Sequence, residues 1–176
     1  MITFSASKNA VCEVTGPEMS FLVFPTTPAK DQWALLSHPE ENLKPKVVSW
    51  PGEYDIGGMI MRGVGQKDGQ QVSYSCEQEG MRFAFIDAPI LDWSDSEVEA
   101  LGSVDILVVA AGDAKKLTTL VEVIDPRVIM LFPVEGGDTA AAAKACGATN
   151  VETVSELKLK QSALPQDNRQ VVILGE

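Results

Sequence analysis

Apolar and polar positions along this chain follow two different rhythms. The first half is a series of short runs rich in β-branched and aromatic residues: ITFSA (2–6), AVCEV (10–14), SFLVFP (20–25), WALLS (33–37), KVVSW (46–50), YDIGGMIMRGV (54–64), QVSYSCEQ (71–78) and MRFAFID (81–87). Turn formers close them at Lys8-Asn9, Thr15-Gly16-Pro17, Thr26-Thr27-Pro28, Asp68-Gly69 and Glu79-Gly80. Strands at this spacing predict an antiparallel meander. Met81-Arg82-Phe83-Ala84-Phe85 alternates as a half-buried strand does.

The second half changes period. Ser94 and Glu97 in SDSE form a capping-box pattern, which predicts a short helix ending at Gly102. VDILVVAA (104–111) is apolar enough for a fully buried strand. KKLTTLVEVI (115–124) puts Leu117, Leu120, Val121 and Ile124 on one helical face, and Pro126 ends it. VIMLF (128–132) is a second buried strand. DTAAAAKAC (138–146) then predicts a helix with Asp138 or Thr139 as N-cap and Gly147 as its stop. Strand, helix, strand, helix with continuous apolar strands implies parallel pairing with helices packed outside. ELKLK (156–160) and QVVIL (170–174) look like a closing hairpin through Ala163-Leu164-Pro165.

Length and composition narrow this further. The 176 residues predict one domain, 1–176, and 45% hydrophobic residues suffice for a real core. A net charge of -11 without a basic patch argues against nucleic-acid binding. Cys12, Cys76 and Cys146 are scattered and odd in number, as expected of reduced thiols in a cytoplasmic protein. The start lacks a secretory layout, and no apolar run approaches the roughly 20 residues of a membrane span. Trp33, Trp50 and Trp93 stand alone and are expected to serve core or rim packing.

Two segments carry a resemblance: PGEYDIGG (51–58) within VVSWPGEYDIGGMIMRGV, and the end from VSELKLKQSALP to QVVILGE. With GMRFAFIDAP, SEVEALGSVDILVVAAG and DPRVIMLFP between them, they resemble the small zinc-dependent hydrolase-like branch of the metallo-β-lactamase superfamily, which includes ascorbate-phosphate lactonase-type proteins. The resemblance implies an α/β (α+β) fold: an αββα sandwich of two mixed sheets with outer helices. It also implies a zinc site built on about five histidines, together with aspartates. The positions corresponding to those ligands fall near Ala6-Ser7, on Phe24 before Pro25, in the stretch 37–42, at Asp87 with a one-residue slip, and on Pro133, or on Val134 or Glu135 with a slip. His38 is the chain's one histidine.

A catalytic zinc site needs about three nitrogen or sulfur ligands and an open position for water, and one histidine cannot supply them. The sequence therefore predicts a fold kept without its zinc, with no cofactor. The leading expectation is a non-catalytic protein that binds an unknown small ligand or a protein, with a homodimer or a stabilising role beside a competent paralogue as further forms. The alternative is a metal-dependent hydrolase of a phosphodiester or lactone that uses leftover carboxylates and His38. Its catalytic candidates are His38, Asp87 and Glu135. Glu53, Asp113, Gly136 and Gly137 are candidates for ligand binding, the two glycines through free N–H groups ahead of a helix. An all-oxygen set drawn from Glu53, Asp55, Asp87, Asp92, Asp113, Glu135 and Asp138 would suit Mg²⁺, Ca²⁺ or Mn²⁺. The old metal cavity is expected to be filled by side chains such as Phe24 and Phe85, or else to remain open. No GxSxG elbow or phosphate loop is present.

Overall fold

A computed structural model describes residues 1–42 and 44–175; Leu43 and Glu176, the last residue of the tail motif, lie outside the described residues. The eight strand runs of the first half become nine strands: β1 Ile2–Ser7, β2 Ala10–Thr15, β3 Ser20–Val23, β4 Trp33–Leu35, β5 Val47–Val48, β6 Gly52–Ile56, β7 Met59–Gln66, β8 Gln71–Gln78 and β9 Met81–Ile86. The extra strand arises because 54–64 turns back on itself at Gly57-Gly58. The second half supplies α1 Asp95–Leu101, β10 Ile106–Ala110, α2 Ala114–Ile124, β11 Val128–Phe132, α3 Thr139–Ala145, β12 Thr153–Val154, β13 Glu156–Leu159 and β14 Gln170–Leu174.

These strands form two sheets. A six-stranded sheet runs β13-β1-β2-β3-β4-β5 and an eight-stranded sheet runs β12-β14-β11-β10-β9-β8-β7-β6. Both are mixed, so the two-sheet α+β sandwich expected from the sequence is the fold observed. Every residue of β10 and β11 is buried, as parallel strands covered on both faces must be. The capping box is present: Glu97 N donates to Ser94 Oγ at 3.3 Å, and Ser94 N donates to Glu97 Oε2 at 2.8 Å. α2 ends where Asp125 turns left-handed ahead of Pro126.

Three details differ from the sequence reading. The meander is only partly antiparallel, because β3, β4 and β5 pair in parallel. The connections 24–32 and 36–46 are long enough to carry the chain back over, which a tight turn could not do. β13 and β14 are not a hairpin: β13 pairs antiparallel with β1 in one sheet, and β14 pairs parallel with β11 in the other. The segment between them includes a 3₁₀ turn, Gln161–Ala163, and buries Leu164, so it crosses between sheets. The helices were expected on both outer faces. All three lie on the eight-stranded sheet, and among the described residues no helix covers the other one. The connections on that side carry Pro25, Pro28, Pro39 and Pro45, which are poor helix material.

Two apolar layers result. Between the sheets, Phe4 meets Phe83 edge-on at 5.7 Å and Phe21 meets Phe85 at 5.9 Å. Such pairs add about 0.5–1.5 kcal/mol beyond their burial. The second layer joins Leu107, Val109, Ile129 and Leu131 to Leu117, Leu120, Val121 and Ala142 of the helices. β9 serves both layers, with Phe83 and Phe85 inward and Ala84 and Ile86 toward the helices, so it is more buried than its alternation predicts. Trp50-Pro51, at the head of the PGEYDIGG segment, lies across β7. A Cβ on Gly65 would fall 2.6 Å from Pro51 Cγ, and one on Gly63 2.9 Å from the Trp50 carbonyl, so that crossing requires both glycines.

Candidate functional site

Three strand ends meet at one rim of the sandwich. β3 runs out into Phe24, β4 into Leu36-Ser37-His38, and β9 into Asp87. Ligand crevices of α/β sheets open at such carboxyl ends. Between them lies a cavity of about 530 Å³, within the range of small-molecule sites. Phe24, Pro25, Pro28 and Leu36 supply its apolar lining, while Ser37, His38, Glu40, Lys44 and Asp87 supply the polar part.

The polar wall is fixed by its own hydrogen bonds. Ser37 is buried, and its Oγ donates to Asp87 Oδ2 at 2.6 Å. Ala88 N donates to Asp87 Oδ1 at 2.8 Å. The Ser37 carbonyl accepts from Val72 N at 2.8 Å. Glu40 N donates to Ser49 Oγ, and Trp50 Nε1 to the Glu40 carbonyl, both at 3.1 Å. His38 Nδ1 lies 3.3 Å from the Gln70 carbonyl. A carbonyl only accepts, so Nδ1 carries the hydrogen and Nε2 is left as the acceptor of the neutral ring. Beneath this wall Tyr74 Oη shares its hydrogen between the Leu36 carbonyl at 2.7 Å and the Val48 carbonyl at 3.1 Å. Burial pushes the Tyr74 phenol well above its usual range, with Tyr54 and Cys76 adding to the shift.

His38 and Asp87 line the same cavity. The other candidates sit elsewhere. Glu135, Asp113, Gly136 and Gly137 gather with Asp138 around a second cavity of about 540 Å³. There Asp113 Oδ1 accepts from Lys115 N and Lys116 N, and Asp138 Oδ1 accepts from Ala140 N and Ala141 N. The N–H groups an anion would use are already met by the caps' own carboxylates, and a second negative charge would be repelled. Gly137 has a packing role: a Cβ there would lie 2.2 Å from the Ala111 carbonyl. Glu53 is exposed on β6 and paired with Arg62, away from both cavities.

Phe24 and Phe85 take different places. Phe85 is fully buried between the sheets. Phe24 lines the first cavity and also a smaller one of about 280 Å³ bounded by Ala6, Ser7, Phe132 and Pro133. Its backbone is left-handed, with φ +48°, an unusual state for a bulky residue. The region is partly filled by Phe24 and still open on both sides. Lys44 and Leu36 are lining residues that the sequence did not single out, whereas Ser37 lies in the stretch 37–42 to which the resemblance pointed. Leu36 adjoins that stretch, the one signal that could have found it.

The donors present do not suit zinc. Among the described residues no three or more histidine, cysteine, aspartate or glutamate side chains are grouped to hold a metal ion. The thiols are buried and unpaired. Burial raises Cys12, with Glu13 adding to it, and also Cys76; Cys146 is pushed up to about 11 by burial against the opposing pull of Arg169. Thiols held protonated are poor metal ligands.

No family model and no curated protein matches this chain in sequence. Solved structures do match in shape. One, described as a candidate zinc-dependent hydrolase of the metallo-β-lactamase superfamily from Thermotoga maritima, superposes with a TM-score of 0.73 at 18% identity, over 99% of this chain and 98% of that one. A candidate metal-dependent hydrolase from Parabacteroides distasonis gives 0.61 at 15% identity, covering 98% and 92%. The metallo-β-lactamase fold protein YhfI from Bacillus subtilis gives 0.57 at 8% identity, covering 84% and 94%. At these identities the likeness establishes the fold, and the fold is that of the metallo-β-lactamases.

Proposed function

We propose that this chain is a non-catalytic binding protein on a metallo-β-lactamase fold, with its ligand site in the cavity at the ends of β3, β4 and β9. The observation that supports this best is the state of Asp87. It lines the same cavity as the sole histidine, and its carboxylate is held by Ser37 Oγ and Ala88 N, with no group of three metal donors among the described residues. Phe24, an apolar side chain, lines the same cavity. The residues thus favour recognition over activation of a metal-bound water, which requires an ion with an open coordination position. The three unbridged thiols support a reducing, cytoplasmic setting.

One observation favours a second reading. His38 and Asp87 border the same cavity, and two fold neighbours are described as candidate metal-dependent hydrolases. A metal-dependent hydrolase acting on a phosphodiester or lactone would use these two side chains. Elemental mass spectrometry separates the readings: untagged protein is incubated with Zn²⁺, Mn²⁺ and Mg²⁺, desalted, and melted with and without chelator. The binding reading expects negligible metal and an unchanged melting temperature. A stoichiometric ion whose removal lowers the melting temperature, with hydrolysis abolished in Asp87→Ala, would establish the hydrolase instead.

A further inference from the structure

We propose that the cavity at the ends of β3, β4 and β9 takes a small organic cation, with an ammonium or amidinium group against Asp87 and an apolar body against Phe24, Pro25, Pro28 and Leu36. This rests on the binding reading above and names its ligand class.

The charges of the lining decide it. Glu40 and Lys44 neutralise each other through an ion pair at 3.2 Å. Asp87 has no cationic partner among the described residues. Its two hydrogen bonds come from neutral groups, a hydroxyl and a backbone N–H. A carboxylate offers about four lone-pair positions, so each oxygen keeps one for a ligand. The cavity therefore presents one uncompensated negative charge, half-buried, on a chain whose net charge is -11. An anionic ligand would be repelled at short range by Asp87 and at long range by the whole surface. A cation would be attracted by both and would meet charge-assisted acceptors.

Geometry adds to charge. Asp87 is held by Ser37, which is 5% exposed and has its own backbone pinned by Val72 N, so Ser37 is a positioning residue for the carboxylate. His38 Nδ1 is turned to the Gln70 carbonyl, which leaves Nε2 as a second acceptor when the ring is neutral. Phe24, Pro25, Pro28 and Leu36 make the rest of the lining largely apolar, with one aromatic side chain among them. A cavity lined by both an aromatic side chain and an anionic acceptor is a setting in which organic cations can gain from both.

The test is a titration of the full chain, followed by calorimetry and by NMR shift mapping, with four probes of one shape: benzylamine, benzamidine, benzyl alcohol and benzoate. The two cations are expected to saturate, at least about tenfold tighter than the alcohol, with benzoate silent. Shifts should centre on residues 24–28, 36–40 and 87. In Asp87→Asn the preference for the cations over benzyl alcohol should vanish, whereas in Glu122→Gln, exposed on α2, it should persist. The ranking on the native chain needs no variant, so a folding defect in Asp87→Asn would not blunt the test. Benzoate binding as tightly as benzylamine, a cation preference that survives in Asp87→Asn, or shifts mapping elsewhere would overturn the ligand class and leave the binding reading intact. No saturable binding of any probe would overturn it as well, and the metal analysis would then decide the binding reading separately.

Discussion

Phe24 concentrates the residue-scale physics of the site. Its left-handed backbone is one that glycine adopts freely and that costs an ordinary residue about 1 kcal/mol. It nevertheless packs against Tyr74 with ring centroids 6.3 Å apart and is 9% exposed. Removing the ring should cost about 3 kcal/mol of stability in either Phe24→Ala or Phe24→Gly. The glycine variant should be the more stable of the two by about 1 kcal/mol, the reverse of the usual order. Denaturant unfolding of both variants measures this, and alanine proving the better would show that φ carries no strain. The sequence placed Phe24 at a position of interest through the resemblance, but no local pattern signals a phenylalanine with positive φ. Hydrogen bonding of its N–H to the Leu35 carbonyl, a residue from the neighbouring strand, helps set that backbone.

At the scale of elements, the helix starts were the most legible part of the chain. SDSE, Gly112-Asp113 and Gly137-Asp138 each precede a helix, and Ser94, Asp113 and Asp138 cap them. The reason is local: a cap needs only its own side chain and the next turn. Glu97 gives a pH-dependent prediction. Burial, the largest single influence, pushes its carboxyl up, but hydrogen bonds from Ser94 N, the Ser94 side chain and Gln66 outweigh it, and the net shift is down. A depressed native value means that the carboxylate's stabilisation is complete above the ordinary glutamate range of about 4.3 and is lost as pH falls through the native value. Glu97→Gln keeps a capping-box side chain but not the charge. The stability difference between native chain and variant should therefore be steady at neutral pH and shrink toward zero in acid. A gap that stays flat or widens on acidification would contradict this assignment. The strand pairings were less legible: β4 pairs with its sequence neighbours β3 and β5 but in parallel, β14 pairs with the distant β11, and nothing within those strands names either arrangement.

For the molecule as a whole, the tail holds the sandwich together. β13 forms an edge of the six-stranded sheet, while β14 sits inside the eight-stranded one between β11 and β12. Leu159, Leu164, Val172 and Leu174 bring buried side chains from this segment to the inter-sheet core, each worth about 1.5–3 kcal/mol. Together they rival the entire stability of a typical domain. A chain ended after Asn150 should therefore lose cooperative unfolding, with a broad thermal transition by circular dichroism and lost near-ultraviolet signal. A sharp transition in that truncated form would show that the two sheets hold without the tail.

By itself the sequence determined most of the strands and all three helices, though not β12 or the split of 54–64 into β6 and β7, and also the buried character of β10 and β11 and, through PGEYDIGG and the tail motif, the fold. All of these follow from local periodicity, turn chemistry or motif. It also determined that His38 stands alone, so that a histidine-rich zinc site was excluded before any geometry. Only the tertiary structure decided which candidates belong together: His38 with Asp87 at one rim, Asp113 with Glu135, Gly136 and Gly137 at another, and Glu53 with Arg62 at neither. It alone put Ser37 on Asp87 across fifty positions of sequence. The physical reason is that a binding site is a meeting of strand ends. Which ends meet depends on the order of strands in two sheets and on connections that cross between them, and these are set by pairing over long separations rather than by any residue's neighbours in the chain.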